Sequence, residues 1–229
     1  MPAKPILPAD IAPTVKASTV GIIGKDNIPA GTDLDNIPAA ALDDSGNVKE
    51  DIQEVVAKDV FGSGFRVTET LLLPVFQATI DAPTGVEDIA AVSFIFKGKE
   101  LLANRISGIR LVKILPGSTP DAPITGGRFE YEPVPAAVTD GKFSLQPETG
   151  GAFLPANHVL EDEVNYLLTL YIKDGGPFDL DNIPSTVTDP AMLVNGSGGG
   201  GGGGCSASFA PLLGILALAG IAAIGRKRV

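Results

Sequence analysis

Asp179-Leu-Asp-Asn-Ile-Pro184 opens like an Asp-x-Asp cation loop, and Asp33-Leu-Asp-Asn-Ile-Pro38 repeats it residue for residue. A hard cation such as calcium needs several converging oxygens. The EF-hand version also wants Gly at the sixth position and Glu at the twelfth. The sixth residues here are Pro184 and Pro38, and neither twelfth residue is Glu, so that pattern fails. Calcium held at one end of the fold by Asp179, Asp181 and Asp189 is the form that stays open. Turn-forming chemistry, in which Asp and Asn side chains accept nearby backbone N–H groups, is the better account of both copies.

Other candidates carry less. His158 is the sole histidine, and no serine or cysteine sits in a strained elbow beside it, so a hydrolytic triad has no support. Glu130 and Glu132 alternate on an expected strand as a glycosidase pair would, but nothing supplies an aromatic cleft or a partner to raise one pKa. Glu161-Asp-Glu163 reads as a solvated acidic face. Gly126-Gly127 and Gly62-Ser-Gly64 lack the following helix and lysine of a phosphate cradle and read as turns. No catalytic residue, resident metal or cofactor is expected.

The strongest signal lies at the C-terminus. No charged residue occurs from Pro190 to Gly225, and Arg226, Lys227 and Arg228 then close the chain ahead of Val229. Gly198 to Gly204 is an unbroken glycine run, expected to be a flexible tether over 195–204. An apolar stretch from Phe209 to Gly225 follows, with Pro211 tolerated in a helix's first turn. That helix would be about 26 Å long, against a hydrocarbon core of about 30 Å. Starting it at Ala207 removes the shortfall, so a transmembrane helix is expected over about 207–225 within an anchor spanning 205–229. A core helix seldom follows a glycine tether or lacks a polar face over four turns. Arg226, Lys227 and Arg228 set the topology, staying on the cytoplasmic side with the body outside.

The order of glycine run, Cys205-Ser-Ala-Ser-Phe209, apolar helix and basic end closely resembles the bacterial C-terminal sorting tags called Synergist-CTERM domains. These are similar in plan to the GlyGly-CTERM and MYXO-CTERM tags. The resemblance covers Gly198 to Val229 only. It implies recognition by a membrane-embedded sorting protease, cleavage near Gly203, Gly204 and Cys205, and transfer of the body to the cell envelope or surface. Cys205 would then carry a lipid or other anchor. The glycines around it leave the backbone open to an enzyme.

The rest of the chain must supply what is anchored. Its 229 residues suffice for one sizeable core plus appendages. Lys and Arg total 17 against 27 Asp and Glu, a net charge of −10; without the three terminal cations the balance is 14 against 27, or −13. Phosphates would repel such a body, which sets nucleic acid aside. With Cys205 alone there is no intrachain disulfide.

From residue 65 to 194, seven or eight short alternating runs are separated by Pro116-Gly117, Gly126-Gly127, Asp140-Gly141 and Asp174-Gly-Gly176. Such spacing predicts a mainly β domain, an immunoglobulin-like β-sandwich, with Tyr166–Lys173 as the most apolar and most central strand. Residues 1–64 form a separate segment, with a strand over 15–23 and a helix over 48–59 whose apolar face carries Val48, Ile52, Val55, Val56 and Val60. The hexapeptide repeat suggests that this segment is the remnant of a neighbouring unit in a longer repetitive surface protein. That history would also place an export signal upstream of Met1-Pro-Ala-Lys-Pro, which has no signal-peptide pattern.

The reading is a non-enzymatic, envelope-anchored structural or interaction module whose surface ligand is undefined. The alternative is an accessory carbohydrate- or peptide-binding domain of a secreted hydrolase. A flat ring platform of Tyr131, Tyr166 and Tyr171 would favour it.

Overall fold

The computed structural model describes residues 7–23, 48–115, 123–181 and 183–198. The expected transmembrane helix, the glycine tether beyond Gly198 and the first copy of the repeat lie outside them. Among the described residues no helix is long and apolar enough to cross a membrane.

Among the described residues ten strands form, in chain order β1 Val15–Ile22, β2 Arg66–Leu72, β3 Phe76–Ile80, β4 Ile89–Lys97, β5 Leu111–Leu115, β6 Thr125–Tyr131, β7 Lys142–Pro147, β8 Asn165–Lys173, β9 Thr186–Asp189 and β10 Ala191–Ser197. One helix, α1 Glu50–Phe61, precedes β2. Mainly β is therefore the architecture. The strands join in one curled mixed sheet, a half-barrel, in the order β2-β10-β5-β6-β7-β8-β4-β1-β3-β9. Two pairs, β1–β4 and β6–β7, run parallel. This departs from the two separate antiparallel sheets expected.

Two kinked runs explain how a single sheet folds over. β2 lies at one edge and β9 at the other, yet β2 leads into β3 through Leu73-Pro-Val75, and β9 into β10 through Pro190. The two runs pair with each other on both sides of the bend, β10 with β2 and β9 with β3. A proline has no N–H to give a ladder, so strands bend where one occurs. At this corner Leu73 N–H donates to Ala191 O at 2.9 Å and Ile114 N–H to Pro190 O at 2.9 Å, which carries pairing through the turn. The same chain thus serves both ends of the curl.

Inside the curl, Leu111 and Phe129 of β5 and β6 share one core with Phe94 of β4, Leu145 of β7, Leu168 and Leu170 of β8, and Val187 and Leu193. Outside it, α1 lays Val56 and Ala57 over Val112, Ile114, Met192 and Val194. β8 stands between β7 and β4, buried through seven of its nine residues, as its apolar run implies.

Two details differ from expectation. The helix begins two residues later than its pattern suggested. Val48 is buried ahead of it, and Val55 faces solvent at 52% exposure. The amide of Gly62 closes the helix on Lys58 O at 2.9 Å, and a φ of 96° makes glycine the fitting residue there. Gly126 and Gly127 are not a turn but lie within β6. A methyl group on Gly126 would collide with Val60 of α1, and one on Gly127 would press on the Phe178 ring at 3.4 Å, so these glycines admit neighbours to the sheet.

The N-terminal strand belongs to the same sheet as the later ones, with β1 lying between β4 and β3. Residues 1–199 form one compact unit and 200–229 a second.

Candidate functional site

Alternation along β5 puts Leu111, Lys113 and Leu115 on one face and Val112 and Ile114 on the other. Val112 and Ile114 meet α1, so Lys113 points into the curl. Asp189, the last residue of β9, meets it there: Lys113 Nζ lies 3.0 Å from Asp189 Oδ1, with both side chains fully buried. Nζ also reaches Thr188 O at 3.4 Å. Neither carboxylate oxygen of Asp189 has an aligned hydrogen-bond partner, so the two groups meet at close range, fully buried and without further polar support for the carboxyl. Burial raises Asp189 to about 6 against the pull of Lys113, and lowers Lys113 against the pull of Asp189. Both are driven toward their neutral forms.

Two more carboxyls lie near this pair. Asp140 accepts from Lys173 N–H at 2.8 Å. Burial raises it, and its field acts on both Lys113 and Asp189. Asp179 accepts from Asp181 N–H at 3.0 Å and Thr188 N–H at 3.1 Å through one oxygen, and from Gly175 N–H at 2.9 Å through the other. Burial pushes it up to about 7, with the Asp181 charge adding to the shift.

These contacts show what the second repeat copy does. Asp179 and Asp181 are turn formers: besides the Asp179 bonds, Asp181 Oδ1 takes Ile183 N–H at 3.0 Å and Thr186 Oγ1 at 3.0 Å, and Oδ2 takes Thr188 Oγ1 at 2.7 Å. Asp189 is turned away to Lys113. Among the described residues no group of three acidic, histidine or cysteine side chains converges to hold a metal.

The remaining sequence candidates sit apart from this cluster. His158 is a half-buried loop residue whose ring meets Tyr166 edge-on at 6.0 Å. Glu130 pairs with Lys142 at 2.5 Å, which holds its carboxyl below the usual range. Glu163 takes Lys97 at 2.7 Å and Lys99 at 2.6 Å, and these two cations bring it down to about 2. The tyrosines make no platform. Tyr171 is buried with its hydroxyl 2.8 Å from Ser144 Oγ, buried Tyr166 accepts from Glu161 N–H at 3.1 Å, and Tyr131 donates to Leu154 O.

Sequence reasoning missed a surface groove of about 440 Å³ lined by Glu69, Lys99, Asn104, Arg110, Asp162 and Asn195. A second hollow of about 380 Å³ shares Glu69, Lys99 and Leu102 with it. The guanidinium of Arg110 is steadied over the Phe61 and Phe65 rings, 5.9 and 5.6 Å from their centroids. Its residues come from separate places in the chain, so no local motif announces it. Gly203, Gly204, Cys205, Arg226, Lys227 and Arg228 lie outside the described residues. Comparison with protein-family models, curated proteins and solved structures finds no match.

Proposed function

We propose that this chain is a non-enzymatic structural or interaction module of the bacterial cell envelope or surface, held by its C-terminal tail with the body outside the cytoplasm. One observation carries the reading. The last described strand ends at Ser197, and in the sequence the glycine run, Cys205, the uncharged apolar stretch and the three terminal cations follow in that order. Its partners are then the membrane and a membrane-embedded sorting protease acting near Gly203, Gly204 and Cys205. A span over about 207–225 would be more stable in lipid than in water.

An immunoglobulin-like sandwich is part of this proposal. The shared core between β5–β6 and β4–β8 supports opposed layers, while the two parallel pairs mark a departure from the usual pattern.

The test is to express the full chain behind an export signal, fractionate the cells and weigh the protein. A membrane- or surface-retained form that has lost Arg226–Arg228 or gained mass on Cys205 is expected. A free soluble species with an intact, unmodified tail defeats the reading.

The groove favours a second reading, an accessory module that binds carbohydrate or peptide. Its carboxylates, amides and cations offer both donors and acceptors to hydroxyl or amide groups. Titration with oligosaccharides and with peptides, comparing Arg110→Ala and Asn195→Ala with the parent, separates this reading from a purely structural one.

A further inference from the structure

The Lys113–Asp189 pair is a poor ion pair. Two charges withdrawn from water are compensated only when good geometry and further hydrogen bonds satisfy the remaining lone pairs and protons. Here Asp189 has no aligned hydrogen bond, and Lys113 has a single long one to Thr188 O at 3.4 Å. It is a good reacting pair. Burial disfavours the charged form of each: in its neutral form the amine is a nucleophile, and in its neutral form the carboxyl presents an electrophilic carbon and a hydroxyl that can leave. The fold fixes the approach: Lys113 is paired across the ladder with Ala191, two residues beyond Asp189, and Pro190 between them stiffens the run. With Nζ 3.0 Å from Oδ1, it stands within reach of Cγ, the geometry in which a held pair gains most over the same groups free in water.

We infer that Lys113 and Asp189 become joined by an amide bond between Nζ and Cγ, formed by the folded chain itself and tying β5 to the end of β9. The inference does not rest on the tail. Neutral Nζ attacks Cγ to form the new C–N bond. One Cγ–O bond then breaks, and the departing oxygen leaves as water with two protons, one supplied by the carboxylic acid and one by the amine. One N–H stays on the amide. No oxidant, reductant or activating group is needed. The field of Asp140 acts on Asp189 and favours its acid form, the form that reacts.

The test is mass spectrometry of the full chain after folding and prolonged incubation near pH 6, where the acid form of Asp189 is well populated. The denatured protein is expected to be lighter than its sequence by one water, about 18 Da. Trypsin should fail at Lys113 and release a branched peptide joining Leu111–Arg128 to the segment that begins at Asp174. Lys113→Met should abolish the branch. The double variant Lys113→Met/Asp189→Leu, which leaves no lone buried charge, supplies a folded control without the bond. Full sequence mass with ordinary cleavage after Lys113 overturns the inference. So does a lost water that maps to Asp140-Gly141 or Asp174-Gly175, the ordinary sites of succinimide formation.

Discussion

Val60 of α1 occupies the space into which a side chain on Gly126 of β6 would project, and Val56 Cγ1 and Val56 O stand 3.0 Å from the same point. This close approach sets the seat of the helix on the sheet, together with Gly126 N–H donating to Asp59 at 3.0 Å and the buried Gln53 receiving Thr70 Oγ1 at 2.6 Å. Gly126→Ala is therefore expected to lever α1 outward and cost about 1–3 kcal/mol by overpacking. Urea unfolding should show a lower midpoint with an unchanged slope. Parent-like stability would mean that the helix is not seated by this contact.

The strands were legible because their burial alternates or is continuous, and β8 could be placed centrally from its apolar run alone. Their assembly was not. The parallel pairs β1–β4 and β6–β7 rest on three and two paired residues, too few to leave a pattern in sequence. Gly126 and Gly127 looked like a turn because a glycine needed for close approach and one needed for a bend are the same letter. Lys113 did leave a trace. It shares the inward face of β5 with Leu111, and a lone cation on the apolar side of a strand asks for a buried partner. Asp189, beyond two threonines and beside a proline, gave no sign of being that partner.

Asp179 gives the pH dependence a sign. Its folded pKa of about 7 exceeds the ordinary aspartate value of 3.8, so the folded chain holds its proton more tightly across that window. Its contribution is fully present below about 4 and is lost as pH rises through 7. Asp140 adds in the same direction, while the lowered Glu163 contributes above the ordinary glutamate value of 4.5 and fades as pH falls toward 2. Melting temperature should decline between about pH 4 and 7, and Asp179→Asn should flatten that slope whatever its absolute stability. An equally steep slope in the variant would assign the titration elsewhere.

Asp140→Asn removes a field that favours the acid form of Asp189. The amide keeps a carbonyl oxygen for Lys173 N–H and removes the acid. Bond formation in freshly refolded protein, followed by mass against time, should slow by up to about tenfold, the change that one unit off the Asp189 pKa would bring. Near-parent melting would show that the slowing is chemical. An unchanged rate would remove Asp140 from the step while leaving the bond itself to the peptide map.

Cys205 tests the tail. If its sulfur carries the anchor, Cys205→Ser should release the body into the medium or leave it as an unprocessed membrane precursor, while the urea midpoint of the body stays the same. Surface display at the parent level, read by protease shaving of intact cells, would deny the thiol any part in retention.

Load and crosslink meet in one run of chain. A pull through the tether enters β10, which is paired on both sides, with β2 and β5. Without the amide, rupture of β10 would lead the force past Pro190 into β9 and onward, unravelling the curl. With it, load arriving at Asp189 crosses directly to Lys113, and residues 114–188 drop off the force path. Pulled between its ends, the parent should fall short of full extension by about 250 Å relative to the Lys113→Met/Asp189→Leu variant. Equal extension of the two would show that nothing covalent spans β5 and β9. A shortfall of that size has no other source in this chain, because Cys205 is its only cysteine and lies outside the interval.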